Sequence, residues 1–380
     1  MNSKERFEAV LLKKKTDKIP VNHRGFSSKA ASYIIGREAY VGGGIQQWRE
    51  SKSLFEGWHE EFLERSFRDA VDLSLATRQD MIRPGYWRLP KKPTGKIDEN
   101  TYLYACGEEK DWEVLRFNPE SEQANTFPRL PRETTIDDLK KEVNDNDKKV
   151  ASYQPSESDF AESIKAQGLY LDKYAVEVGG VGVGIPARNA NIWMEMMLLD
   201  PGVVEAHINQ QVETARRNVA FLSKYKFRYF LGGGDFASEN GPFYSPPLFR
   251  KLILPGIKKV SEICHEYGGY HFFASDGNLW PVSQYLFGES GTDVYFEIDR
   301  KAGMDLELLR QRFPNLSLLG NISSWTLARG TKETVRQEVL SCLETAKKYG
   351  GIIAGVSNYI LAETPPENMD TLLETIEKER

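Results

Sequence analysis

Apolar positions along the chain fall into two regimes. From residue 176 onward, short apolar runs alternate without interruption with longer stretches whose apolar residues recur every three or four positions. Runs at 227–231, 270–274, 292–298, 316–319 and 352–355 predict strands; stretches at 192–199, 203–225, 279–287, 305–313, 331–349 and 365–378 predict helices. The clearest unit spans 227–278. Its first run stops at three glycines and the acidic residues Asp235 and Glu239. A helix follows, with Ser245 as N-cap and Pro246 and Pro247 in its first turn, ending at Gly268 and Gly269. The second run stops at Ser275, Asp276 and Gly277. This is a strand–helix–strand unit with polar residues at the C-terminal ends of both strands.

The N-terminal half is less regular. Residues 3–12 predict a helix with Phe7, Val10 and Leu11 on one face, and 18–21 a short strand followed at once by His23 and Arg24. Gly42, Gly43 and Gly44 predict either a loop near substrate or an ordinary turn. Residues 54–75 predict a helix with Phe62, Phe67, Val71 and Leu75 inward, and 134–146 and 155–167 two more. Between them, about 80–130, short Tyr- and Trp-rich patches alternate with turns, the pattern of an inserted antiparallel hairpin or small sheet. Its aromatics either lid a pocket or pack the insert onto the main fold. The glycine-rich stretch 177–189 lacks the spacing of a phosphate-binding loop and reads as a strand and loop allowing close approach.

Uninterrupted strand–helix alternation predicts a parallel sheet, and no point of reversed strand order stands out. The expected fold is α/β: a (β/α)8 TIM barrel forming a single domain over residues 1–380, with the β-rich insertion in its N-terminal half. The site then gathers strand-end residues: His23, Arg24, Arg188, Asp235, Glu239, Ser275, Asp276, Asn321, Ser357, Asn358 and Tyr359. Asp235, Glu239 and Asp276 follow neighbouring strands; converging, they serve as acid and base or hold a metal through oxygen, and otherwise they cap helices. Strand parity sets His271 opposite to Asp276, facing the helices. Arg188 meets an anionic group or makes a surface ion pair.

Charge and composition narrow the classes. The formal net charge is −5, which offers no basic nucleic-acid surface. No apolar run approaches the length of a membrane helix. The charged, amphipathic start of the chain is unlike a signal peptide, and the three scattered cysteines (Cys106, Cys264, Cys342) suit a reducing cytoplasm.

Six segments carry a resemblance: ERFEAVLLKKKTDKIPV at the start, SPPLFRKLILPGIKKVSEICHEYG, the SDGN that follows, Gly303 to Asp305 (GMD), Leu318 to Ser323 (LLGNIS) and Thr364 to Met369 (TPPENM). In order and spacing the chain resembles the uroporphyrinogen decarboxylase superfamily, which also holds corrinoid-dependent methyltransferases. The resemblance implies a (β/α)8 barrel. The decarboxylases' arginine-rich motif after the first strand is reduced here to HRGFSSKA, with Arg24 as the match; their FSD aspartate is replaced by RPGYW, and their GHG histidine by Asn358. The zinc methyltransferases' HxCG motif is replaced by Ala274, Ser275, Asp276 and Gly277, with Ser357 or Asn358 near the second cysteine's place. Zinc is compatible with Asp235, Glu239 and Asp276, but the thiolate set is absent.

The expectation is a methyltransferase that moves a methyl group from a small methylated donor, a methoxylated aromatic or methylamine-like compound, to a corrinoid carried by a partner protein. Asp276, Asp235 or Glu239 assists the leaving group; His23, Arg24, Arg188, Ser275, Asn321, Ser357, Asn358 and Tyr359 hold substrate. A decarboxylase or lyase acting on a small acid through Arg24 and Arg188 is the alternative, and a non-catalytic binding barrel a third. The sequence leaves room for a homodimer.

Overall fold

The computed structural model of the chain describes residues 1–130 and 133–380. Eight short parallel strand segments form a ring. They lie at Val21, Met81–Ile82, Ala175–Val176, Tyr229–Gly233, Tyr270–Ala274, Val294–Phe296, Ser317–Leu319 and Ile352–Ile353. The last five form one continuous parallel sheet. Val178 bridges to Phe230, joining the third strand to the fourth, and Met81–Ile82 pairs with Ala175–Val176. Val21 bridges to Ala354, joining the first strand to the eighth, and Gly25–Phe26 continues that contact against Tyr359–Ile360. The remaining seam, first strand to second, has one main-chain bond, Asp80 N–H to Val21 O at 2.8 Å. Side chains complete it: the Asp80 carboxylate accepts from Val21 N–H at 2.9 Å, and the Gln79 amide oxygen from His23 N–H at 2.9 Å.

Strand parity separates two apolar layers. Met81, Ala175, Tyr229, Leu231, Phe272, Val294, Phe296, Leu319 and Ile353 point into the ring and form one buried cluster. The helix Ser3–Leu11, capped by Asn2 and Glu5, closes the N-terminal end: Phe7, Val10 and Leu11 join that cluster, and the Phe7 ring lies 5.6 Å from Tyr229 and 6.0 Å from Phe272. The larger apolar layer lies between strands and outer helices, such as Pro201–Ser223, Leu254–Glu266 and Lys332–Tyr349. Two expected helices differ. The stretch 54–75 is two helices, Gly44–Glu56 and His59–Ala76, parted at Gly57, whose φ of +89° favours glycine. The stretch 279–287 is a 3₁₀ turn, Trp280–Val282, followed by a π-helical turn, Gln284–Glu289.

The β-rich insertion is an antiparallel sheet of Gly95–Asp98, Thr101–Tyr104, Glu113–Asn118 and Gln123–Pro128. Its start differs from expectation: Met81–Ile82 belongs to the barrel, and the insert begins only after Arg83. The turn at Glu122 docks beside the glycine cluster. A Cβ on Gly44 would sit 1.9 Å from Ala124 N, so only glycine admits this approach.

Candidate active site

Continuing the inward parity past each strand's last apolar residue gives the upper layer of the barrel. Ala175 leads to Glu177, Met81 to Arg83, Ala274 to Asp276, Leu319 to Asn321, and Ile353 to Ser357. A cavity of about 290 Å³ opens at this end, lined by Asp276, Glu297, Asp299, Ser357, Asn358 and Tyr359 inside and by Arg300, Lys301 and Trp325 at the rim.

Glu297 is the principal residue that sequence reasoning did not single out. It follows the sixth strand with φ +66°, a conformation that costs a non-glycine residue about 1 kcal/mol or more and is kept only where surroundings enforce it. That turn breaks parity and brings the Glu297 side chain to the cavity. Removal from water raises its carboxyl to about 7, with Asp276 and Asp235 adding to the rise and Arg24 and Arg83 opposing it. Among the described residues Glu297 makes no ion pair. Its signal in the sequence was an acid inside an apolar run, between Phe296 and Ile298.

Asp276 is half-buried, and its carboxylate accepts from Asn358 Nδ2 at 3.3 Å. Burial raises its carboxyl, and Asp235 and Asp299 raise it further. It caps no helix; the nearby Trp280 N–H donates instead to Asn278 Oδ1 at 3.1 Å. Asp235 is exposed at the end of the fourth strand, close enough to influence Asp276 and Glu297. Glu239 stands apart, exposed and paired with Lys301 at 2.9 Å. Asn358 Oδ1 accepts from Tyr359 N–H, and the Tyr359 hydroxyl accepts from Gly43 N–H at 2.8 Å, which ties the glycine loop to the mouth. Ser357 is buried and donates to Ile322 O at 3.4 Å. Asn321 is buried at the end of the seventh strand.

Three expected substrate ligands lie elsewhere. His23 is buried outside the ring, because its neighbour Arg24 takes the inward position; its Nδ1 accepts from Val356 N–H at 3.2 Å, its ring packs on Phe26, and burial lowers it to about 4. Ser275 is fully buried, and its hydroxyl accepts from Phe236 N–H and donates to the Asp276 carbonyl, holding the loop. Arg188 is exposed and makes an ion pair with Glu113 of the insert at 3.3 Å. His271 faces the helices as parity required, with Ser261 Oγ 2.8 Å from its Nδ1.

Arg24 enters the mouth with its guanidinium 4.6 Å from the centre of the Phe296 ring, and pairs with Glu177 at 3.0 Å. Arg83 reaches the same Glu177 at 3.5 Å, lies over Tyr86, and donates to the Gly85 and Arg24 carbonyls. Sequence reasoning passed over Arg83 and Glu177; each lies two residues beyond an inward apolar residue of a two-residue strand.

Zinc does not fit this arrangement. Asp276 stands where the thiolate would, Glu239 is drawn away to Lys301, and among the described residues no three His, Cys, Asp or Glu side chains are grouped to hold a metal ion. Nor, among the described residues, is any helix long and apolar enough to cross a membrane.

The fold is similar to that of a methyltransferase from Methanosarcina mazei, with a TM-score of 0.67 at 15% identity over 100% of this chain and 99% of that one. It is also similar to a putative vitamin-B12 independent methionine synthase from Listeria monocytogenes, with a TM-score of 0.50 at 13% identity over 95% of this chain and 98% of that one. A search of curated proteins finds no match. Residues 183–379 match the model of uroporphyrinogen decarboxylase. That match spans more than half of the chain and takes in Asp235, Asp276, Glu297 and Asn358; together with the eight-stranded barrel it makes the chain a member of the uroporphyrinogen decarboxylase family.

Proposed function

We propose that the protein is a methyltransferase that removes the methyl group of a small methoxylated aromatic and passes it to a corrinoid carried by a partner protein, with Glu297 as general acid. The observation that carries this reading is the Glu297 carboxyl, protonated near neutrality, at the inner wall of the mouth beside Asp276. An aryl methyl ether is inert because phenolate leaves poorly. When the methyl carbon is attacked, the carbon–oxygen bond breaks and its electron pair goes to oxygen. A proton from Glu297 then turns the departing group into a phenol, and general acids of this kind contribute about 10²–10⁴-fold. Burial keeps the Glu297 proton in place, and Asp276, oriented by Asn358, adds to this by electrostatic repulsion. The partner's reduced corrinoid would supply the nucleophile, and the open mouth is where it would meet the methyl carbon. A methylamine donor, already protonated on nitrogen at neutral pH, departs as a neutral amine and needs no proton from Glu297.

The family's decarboxylase chemistry is less well supported. A small acid needs free cations, and both inward arginines are engaged by Glu177.

The test is incubation with 2-methoxyphenol and a reduced corrinoid protein, with release of catechol followed by chromatography. Turnover in the wild type, reduced at least a hundredfold in Glu297→Gln, supports the reading. Turnover undiminished in Glu297→Gln, or consumption of a carboxylic acid without any corrinoid, overturns it.

A further inference from the structure

Resting on this reading, the question is which donors the mouth admits. Two features of this end of the barrel are suited to binding anions, and the protein fills both with its own carboxylates. The first is the pair Arg24 and Arg83. Both guanidiniums are nearly buried and both turn to the buried Glu177, Arg24 at 3.0 Å and Arg83 at 3.5 Å. Their remaining contacts are also internal: Arg24 lies over Phe296, and Arg83 is committed to two carbonyls and Tyr86. The second is the start of the helix Ser28–Ile35, just past the first barrel strand, where free N–H groups favour negative charge. Glu122, from the turn of the insert, is buried there and accepts from Ser28 N–H at 2.7 Å and Lys29 N–H at 3.1 Å. Its own backbone sits at φ +55°, and its carbonyl accepts from Ile45 N–H, so the turn is fixed with the carboxylate aimed at the helix. Glu122 also lies near enough to Tyr359 to act on its hydroxyl.

The lining adds to this. Asp276 and Asp299 share the cavity with Glu297, and the exposed Asp235 lies near enough to act on Asp276 and Glu297. Arg300 and Lys301 are exposed at the outer rim, where water screens them, and Lys301 is held by Glu239.

We infer that Glu177 and Glu122 are specificity residues that close the inner mouth to anions, so that the donor is neutral or cationic and carries no carboxylate or phosphate. An acid entering this cavity would face Asp276 and Asp299 and lose its hydration without gaining a free cation at the inner wall, Arg300 lying out at the rim. Removing the Glu177 charge releases Arg24 and Arg83 toward the cavity.

The experiment is direct binding of benzoate and of 2-methoxyphenol to the full chain, by calorimetry at low salt, for wild type, Glu177→Gln and Glu122→Gln. The wild type is expected to show no saturable benzoate binding up to about 10 mM. Glu177→Gln gains benzoate affinity at least tenfold, as does Glu122→Gln at its own site. Benzoate binding to the wild type overturns the inference whatever the variants do. So does a folded pair of variants that bind benzoate no better than wild type. Binding is read without turnover, so the two proposals fail separately: if 2-methoxyphenol does not bind but the benzoate pattern holds, the donor reading falls and the exclusion of anions stands.

Discussion

The two ends of the barrel hold acids in opposite ways. At the closed end Asp80 is buried and fully answered: Arg6 Nη1 lies at 2.6 Å, Arg380 at 3.4 Å, and Val21 N–H donates at 2.9 Å. At the open end Glu297 is buried in the field of Asp276, and the two nearby arginines are turned to Glu177. The same residue types thus do different work. Where every acid has its cation, charge closes the seam between the first and second strands and helps hold the ring. Where burial withdraws an acid from water and neighbouring acids add to the effect, its carboxyl rises to about 7, and its proton is available for chemistry near neutrality.

Breaking the balanced end is expected to have the largest effect. Asp80→Ala takes from buried Arg6 one of its two carboxylate partners, with Asp17 remaining at 2.8 Å, and removes the acceptor for Val21 N–H. Loss of one member of a buried pair costs about 3–5 kcal/mol, and the Asp17 contact that remains puts the expected cost at the lower end, about 3 kcal/mol. Denaturant unfolding should show that loss, while the protein that remains folded retains near wild-type turnover. A stability loss under about 1 kcal/mol would mean that the seam is held by the main-chain bond alone.

Breaking the unbalanced end should do the reverse. Glu297→Gln is expected to lower turnover about a hundredfold or more with no loss of stability. Because burial raises the Glu297 carboxyl from its ordinary value to about 7, the folded state binds the proton more tightly than the unfolded chain does. Its contribution to stability is therefore full at low pH and declines as pH rises from about 4.5 to 7. The variant should match wild type near pH 4 and melt a few degrees higher at pH 8. Equal melting temperatures at both values would show that Glu297 ionises normally.

The pH–rate profile sharpens the comparison at the next level. Turnover that needs protonated Glu297 falls about tenfold per unit above pH 7, and the midpoint is set by the groups around it. Asp276→Asn removes a neighbour that raises Glu297, so its midpoint should move to lower pH. A midpoint that stays in place would assign the limb to another group.

Legibility in the sequence followed the length of the ladders. From the fourth strand onward, runs of three to five apolar residues end in polar ones, and parity places Asp276 inward and His271 toward the helices, where it meets Ser261. The second strand is only Met81–Ile82, and the Pro84–Gly85 turn and aromatics after it matched a hairpin pattern, so Arg83 was absorbed into the insert. Glu177 falls at the start of the glycine-rich strand-and-loop pattern because Ala175–Val176 is equally short. Glu297 escaped for a different reason: parity through 292–298 has no place for the positive φ that turns it to the cavity. Partners across the fold, such as Glu122 on Ser28 and Lys29, have no local signature at all.

Glu239 and Arg188 give the smallest expected effect and the cleanest check on that lesson. Both follow barrel strands and have the chemistry of a site residue, which is why sequence pattern selects them. Both are exposed and paired across the surface, Glu239 with Lys301 at 2.9 Å and Arg188 with Glu113 at 3.3 Å. Exposed pairs contribute about 0–1 kcal/mol. Glu239→Gln and Arg188→Ala should therefore each stay within about twofold of wild type in kcat/KM, an effect of at most ~0.4 kcal/mol in the transition state. The contrast with Glu297→Gln is the discriminating quantity. All three positions follow strands at the same end of the barrel, but only Glu297 is withdrawn from water without an ion-pair partner among the described residues. If Glu239→Gln lowers kcat as far as Glu297→Gln does, then the loop holding Ala237–Ser238 and Gly241–Pro242 folds inward during turnover, and position after a strand would count for more than burial in choosing the catalytic acid.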